Sequence, residues 1–192
     1  MEIYNKALEA YERSTELVLR LFKVAKAKKV TPSDFSIDKA MENFDVLIQY
    51  SMMQVALSDK EFSYKEVKII EKLSKYCSFV TFLNNLGFKD VTWDKLAFIT
   101  PKVLQSIMDK IKTNVQNINK DFIEYFTFVD KATPSVDYSK ELYEYMIAIM
   151  SAVIISDRKW KPSEGNIMPL IIEAITLIKR KKNKKWDLEI DY

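Results

Sequence analysis

The sequence predicts an all-α protein, because glycine and proline are scarce and apolar residues recur at helical spacing along most of the chain. The 192 residues include 2 glycines and 5 prolines, whereas average usage would give roughly 13 and 10. Turns that need positive φ are therefore few, which favours long helices over hairpins and sandwiches. An apolar fraction of 48% is enough to fill the core of one compact multi-helix domain.

Apolar spacing and local punctuation divide the chain into successive helices. In the first half of the chain we expect a helix over residues 2–28, a helix capped by Ser36 that ends near Ser58, and a helix from Ser63 to about Tyr76. A short apolar segment from Phe79 to Leu86 and a short helix opened by Thr92 to Lys95 should follow. The second half predicts a long helical stretch from Pro101 to Thr133-Pro134, a helix that includes the apolar run from Tyr145 to Ile155, and a last helix from Pro162 to about Lys182.

Several residues predict how these helices begin and end. Gly87 is expected to be a left-handed cap, and Thr100-Pro101 reads as an N-cap followed by proline at the first helical position. The stretch that follows keeps helical phase, as one helix or as two broken near residues 117–119. Asp137 or Ser139 is expected to cap the next helix. No stretch reaches the roughly 20 apolar residues that a bilayer requires, and no signal peptide is predicted.

Missing residue types exclude several enzyme classes. The chain has no histidine and a single cysteine, Cys77, so Ser-His-Asp and Cys-His nucleophile systems and Cys/His zinc sites cannot form. Two glycines are too few for a Walker loop or a GxGxxG turn. We therefore expect a protein that is not an enzyme and needs no cofactor, located in the cytoplasm, with Cys77 as a buried thiol.

Two stretches of the chain repeat each other 98 positions apart. The segment from Ser58 to Glu66 and the segment from Ser156 to Glu164 place Ser, Asp, a cation, an aromatic residue and Glu at the same offsets. Each segment follows an apolar helical run. The repeat predicts two pseudo-symmetric helix-loop-helix units, at about 51–73 and 149–171. Both would belong to a single domain over residues 1–182, followed by a C-terminal tail, 183–192.

The repeated acidic residues allow two interpretations. In the first, Ser63 and Glu66 form a capping box, and Asp59 accepts hydrogen bonds from loop amides; the second copy keeps only part of this arrangement. In the second, four carboxylates hold a hard divalent cation through oxygen ligands. The residues concerned are Asp59, Glu66, Asp157 and Glu164.

The spacing of this motif resembles that of the tellurite-resistance TerB-like family. Asp59, Phe62 and Glu66 match the first occurrence of the family's Asp-Gly-x-hydrophobic-x-x-x-Glu pattern, and Asp157, Trp160 and Glu164 match the second. The family's glycine is replaced in both copies, by Lys60 and Arg158. The resemblance implies an all-helical fold with duplicated helical hairpins, acidic residues suspected of binding metal, and a stress-linked role near membranes.

The C-terminal end combines a basic run with an alternating tail. The run is expected to bind a partner or an anionic surface, or simply to be a solvated helix end. The residues that would make this contact are Lys179, Arg180, Lys181, Lys182, Lys184, Lys185 and Trp186. In the tail, apolar and acidic residues alternate, which predicts an extended strand that lies on its own molecule, on another protein or on a second copy of the chain.

These observations favour a non-enzymatic helical scaffold or sensor module of the TerB-like type. We expect a protein partner, and the basic run adds an anionic membrane surface, which would place the protein at the periphery of the inner membrane. Nucleic acid is not expected as a partner, because one short basic run gives too small a positively charged surface for nucleic-acid binding. Two alternatives are a carboxylate-dependent metal-binding hydrolase and a mobile-element protein that binds and blocks a host factor.

Overall fold

The computed structural model describes residues 2–58, 63–73, 83–84, 87–88, 101–156 and 166. These residues confirm the all-α prediction, because every regular element among them is a helix. The helices are α1 (Glu2–Ala27), α2 (Ile37–Ala56), α3 (Tyr64–Leu73), α4 (Pro101–Ala132) and α5 (Ser139–Ile155). None of the described helices is both long enough and apolar enough to cross a bilayer.

The four long helices pack together, and α3 covers one side of them. The most extensive contact is between α1 and α5, followed by that between α2 and α4, while α3 packs on α1, α2 and α5. Arg13 in the middle of α1 lies beside Tyr145 in the first half of α5, and Lys28 just beyond α1 donates to the carbonyl of Ala132 at the end of α4. Helices α1 and α5 therefore run antiparallel.

Helix α2 is the central element of this arrangement. It contacts α1, α3, α4 and α5, and its buried residues lie on all sides of the helix rather than on one stripe. A helix that is buried all round belongs to the core of a protein. Its apolar residues from Met41 to Ala56 include many that are fully buried, and the neighbouring Asp45, Gln49 and Ser51 are buried too.

A cluster of aromatic rings fills the space between α1, α2 and α4. Phe22 of α1 lies 5.9 Å from Phe126 and 6.4 Å from Phe122, measured between ring centroids. Phe122 in turn lies 5.7 Å from Phe44 of α2. Tyr138, in the link between α4 and α5, stacks on Phe126 at 5.3 Å. These contacts join three helices and one loop, so the cluster fixes their mutual positions.

Most of the predicted helix boundaries are confirmed. Helix α4 starts at Pro101 and continues without interruption for 32 residues, so of the two options for this stretch the single helix is the right one. The Ser36 hydroxyl accepts a hydrogen bond from the amide of Lys39 and caps α2. The prediction that Asp137 or Ser139 caps α5 is wrong. Tyr138 occupies the N-cap position and makes no side-chain capping hydrogen bond. Its hydroxyl donates to Asp130 of α4, and its ring stacks on Phe126.

Two helical segments end in left-handed residues. Gly87 has φ 84°, and the amide of Phe88 donates to the carbonyl of Leu83 while the amide of Gly87 donates to Asn84, which is the predicted glycine cap. At the end of α1 the same bonding pattern is built on a lysine. Lys29 has φ 56°, in a region that costs a residue with a Cβ about 1 kcal/mol or more.

Only parts of the predicted repeat units fall on residues that the structure describes. The amide of Ser58 donates to the carbonyl of Val55, and the amide of Ser156 donates to the carbonyl of Val153. These two bonds are again 98 positions apart in the chain, and each closes the helix that precedes the motif. The pseudo-symmetry of the complete units, Cys77 and the tail lie outside the described residues. The predicted helix after Pro162 also lies outside them, apart from Asn166, which is helical.

Candidate functional site

Of the four predicted acidic site residues, the structure describes one. Glu66 lies in the first turn of α3 and is 3% exposed. Asp59, Asp157 and Glu164 lie outside the described residues. Within the parts of the chain that the structure describes, no three Asp, Glu or Cys side chains come together as a group that could hold a metal ion.

Glu66 and Ser63 form the predicted capping box. The amide of Ser63 donates to Oε2 of Glu66 at 2.8 Å, and the amide of Glu66 donates to the hydroxyl of Ser63 at 3.1 Å. Two amides at the start of α3, which have no partner within the helix, are satisfied in this way. The capping box therefore fixes the residue at which the chain turns into α3 after α2.

A second buried carboxylate was not predicted from the sequence. Asp45 on α2 is 6% exposed, and its Oδ1 accepts a hydrogen bond of 2.5 Å from the hydroxyl of Tyr11 on α1. The sequence carried a signal for this burial, since Asp45 lies four residues after Met41 and three before Ile48, inside the apolar stripe of α2. A carboxylate at such a position needs a donor from a neighbouring helix, and the hydroxyl of Tyr11 is one.

Another tyrosine–carboxylate pair holds the link between α4 and α5. The hydroxyl of Tyr138 donates to Oδ1 of Asp130 at 2.5 Å. Burial, the bond to Asp130 and the nearby negative charges of Asp130 and Asp137 raise the pKa of Tyr138 well above its ordinary value. Tyr138 is therefore neutral at physiological pH and acts as a hydrogen-bond donor that ties the loop to the end of α4.

The outward side of α3 carries a row of lysines next to aromatic rings. Lys65, Lys68 and Lys72 are all exposed, and Tyr64 beside them is 63% exposed. The ammonium of Lys68 lies 5.5 Å from the centre of the Tyr64 ring, and that of Lys72 lies 5.2 Å from the ring of Tyr4 on α1. We call this surface the α3 lysine face.

None of the described carboxylates near the α3 lysine face forms an ion pair with one of its lysines. Glu66 points into the core and is held by Ser63, while Glu71 is half-buried. On α1, Glu2 pairs with Lys6 at 2.9 Å. Among the described residues, no ion pair includes a lysine of this face. The sequence reasoning missed this surface, because three lysines spread over a helix form no run in the chain.

The other predicted contact residues, the basic run from Lys179 to Lys185 and Trp186, lie outside the described residues. The start of α3, with its capping box and the lysine face beside it, is thus the part of the candidate site that the structure describes. Comparison of the chain with protein-family models, with curated protein sequences and with solved structures gave no match.

Proposed function

We propose that this chain is a non-enzymatic helical interaction module, a scaffold or sensor of the TerB-like type that binds a protein partner. The observation that carries the proposal is the arrangement of side chains at the start of α3. There the carboxylate of the first motif closes a capping box while lysines and an exposed tyrosine face outward. Tyrosine is enriched among the residues that dominate binding energy at protein interfaces.

The described half of the repeat agrees with this proposal. The equivalent bonds made by Ser58 and Ser156 close α2 and α5 in the same way, as two related helical units would. In the capping box Glu66 has a structural role, so the motif can be retained for architecture without any catalytic demand. A stress-linked role at the periphery of the inner membrane remains part of the proposal and depends on the resemblance to the TerB-like family.

The experiment that tests partner binding compares the complete chain with a chain that ends at Lys185, which lacks the alternating tail. Both are immobilised, and proteins retained from a lysate are quantified. We expect one protein to be retained in stoichiometric amount by the complete chain and to be depleted by the truncation. Equal and substoichiometric retention by both chains would contradict the proposal.

The membrane component is tested separately by co-sedimentation with vesicles of phosphatidylcholine and phosphatidylserine. A chain that ends at Ile178 lacks the whole basic run and serves as the comparison. We expect the complete chain to sediment with anionic vesicles and the shortened chain to remain in solution. Equal sedimentation of the two chains would remove the membrane from the proposal and leave protein binding untouched.

A carboxylate-dependent hydrolase is distinguished from the interaction module by calorimetry. Titration with Mg²⁺, Mn²⁺ and Ca²⁺ measures whether the complete chain binds a divalent cation. Saturable one-to-one binding that is lost in Asp59→Asn would favour the hydrolase. The interaction module predicts that any heat is unchanged by this substitution.

A further inference from the structure

We propose that the α3 lysine face is the docking surface for an acidic segment of a partner protein. This inference rests on the proposed function, since it names the chemistry of the partner that an interaction module would bind. It concerns residues that are distinct from the basic run at the C-terminus. The surface consists of Tyr64, Lys65, Lys68 and Lys72 of α3 together with Tyr4 of α1.

The spacing of the lysines suits a short, ordered partner. Lys65, Lys68 and Lys72 lie at positions i, i+3 and i+7 of one helix, and so share one side of it. From the first to the last, seven residues at 1.5 Å each span about 10 Å. Two turns of a partner helix, or three to four residues of an extended strand, cover the same length and can present one carboxylate to each ammonium.

The tyrosine rings make these lysines better suited to individual carboxylates than free surface lysines are. The ammonium groups of Lys68 and Lys72 lie 5.5 and 5.2 Å from the ring centres of Tyr64 and Tyr4, within the range of cation–π attraction. A lysine that is already held near one position loses less conformational entropy when it binds. Tyr64 also adds an exposed aromatic surface at the N-terminal end of the contact.

A protein partner fits this surface better than nucleic acid or a membrane does. Three lysines neutralise few phosphates, whereas specific duplex binding commonly uses six to ten phosphate contacts. Stable attachment to a bilayer needs an apolar anchor beside the charges, and on the outward side of α3 the exposed residues are lysines and one tyrosine. Discrete carboxylates on a folded or folding segment match the number and spacing of the charges.

The first test measures binding of a fluorescent poly-glutamate peptide to the complete chain by anisotropy. The variant Lys65→Glu/Lys68→Glu/Lys72→Glu reverses the face. The matched control, Lys102→Glu/Lys112→Glu/Lys120→Glu, makes the same change in net charge with exposed lysines of α4. We expect the α3 variant to weaken binding at least tenfold, which is about 1.4 kcal/mol, and the α4 variant to weaken it less than twofold.

A second readout locates the peptide on the surface. A photoreactive benzoylphenylalanine replaces Tyr64, and in the control protein it replaces Ile123, which is 51% exposed on α4. Cross-linking of poly-glutamate at position 64 and not at position 123 supports the proposal. The triple variant Lys65→Gln/Lys68→Gln/Lys72→Gln, which removes charge without reversing it, is expected to weaken binding by an intermediate factor. Thermal unfolding verifies that each variant is folded.

Three outcomes would overturn the proposal. The first is that the α3 and α4 variants weaken poly-glutamate binding equally, and the second is that no cross-link forms at position 64. The third is that the α3 variant selectively weakens binding of duplex DNA or phosphatidylserine vesicles and leaves poly-glutamate binding unchanged. Failure of the proposed function is a separate result, because it shows as retention of no partner by the complete chain. If a partner is retained equally by the wild type and by the α3 variant, only the present inference is refuted.

Discussion

The hydrogen bond between Tyr11 and Asp45 offers the most direct test of how this fold is held together. It joins α1 to the central helix α2 through two side chains that are 1% and 6% exposed. The substitution Tyr11→Phe removes the hydroxyl and keeps the ring, so the packing of Tyr11 changes little. What is lost is one donor to a buried carboxylate.

The expected cost follows from the kind of bond and from the surroundings of Asp45. A hydrogen bond to a charged group contributes about 1.5–3 kcal/mol. Asp45 has further interactions besides the one with Tyr11, so the loss should stay below the 3–5 kcal/mol of a buried charge that has lost its partner entirely. We expect Tyr11→Phe to lower the free energy of unfolding by about 2 kcal/mol. For a chain of this length that corresponds to a fall of about 4–8 °C in Tm.

Urea unfolding followed by circular dichroism measures this change, and Tyr4→Phe is the matched control. Tyr4 lies on the same helix, and its ring keeps the contact with Lys72 when the hydroxyl is removed, so its unfolding free energy should change by less than about 0.5 kcal/mol. A double-mutant cycle of Tyr11→Phe with Asp45→Ala should give a coupling of about 1–2 kcal/mol. Equal stabilities of Tyr11→Phe and the wild type would refute the claim that this bond holds α1 on α2.

Three further predictions test the end of α1, the aromatic cluster and the link before α5. Lys29→Gly should raise the free energy of unfolding by about 1 kcal/mol, since glycine adopts φ 56° without strain. The control Lys23→Gly, inside α1, should lower the free energy of unfolding by a similar amount. The midpoints of urea unfolding distinguish the two variants. Phe122→Ala should lower the free energy of unfolding by about 3–5 kcal/mol, because it opens a cavity in the aromatic cluster. The adjacent Ile123→Ala should change that free energy by less than about 0.5 kcal/mol. Similar losses in the two variants would contradict the role of the cluster. The pKa of Tyr138 is raised in the folded protein, so the contribution of Tyr138 to stability is complete below about pH 10 and is lost as pH rises further, toward the pKa of the folded state. The difference in urea-unfolding free energy between wild type and Tyr138→Phe should therefore shrink above about pH 10. A difference that stays constant with pH would refute this prediction.

Helical periodicity was sufficient to predict the described helices, because apolar residues recur every three to four positions in each of them. Capping residues such as Ser36 and Pro101 then placed the helix starts correctly. Periodicity places Asp45 inside the apolar stripe of α2, but it could not identify the partner of the carboxylate, since the donor comes from another helix. The N-cap at Tyr138 was missed for a similar reason, since the side-chain contacts of Tyr138 with Asp130 and Phe126 link it to another helix.

In the candidate site, too, some features could be predicted from local sequence and others depend on how the helices pack. Ser63 and Glu66 are three residues apart, so local chemistry alone predicted their reciprocal bonds. The α3 lysine face depends on which side of α3 is covered by α1, α2 and α5, and on a tyrosine that comes from α1. The spacing of the lysines places them on one side of α3, but the contact with Tyr4 arises only when the helices pack.

The position of Glu66 also connects the two interpretations of the acidic motif. Its Oε2 accepts from the amide of Ser63, and the side chain is almost completely buried. A divalent cation at Glu66 would therefore have to share this carboxylate with the amide that fixes the start of α3. Binding of a metal at the motif would then alter the hydrogen-exchange protection of the Ser63 amide, whereas a purely structural motif leaves that protection unchanged when Mg²⁺ or Ca²⁺ is added. Exchange at this one amide thus separates a capping motif from a ligand set without knowledge of any substrate.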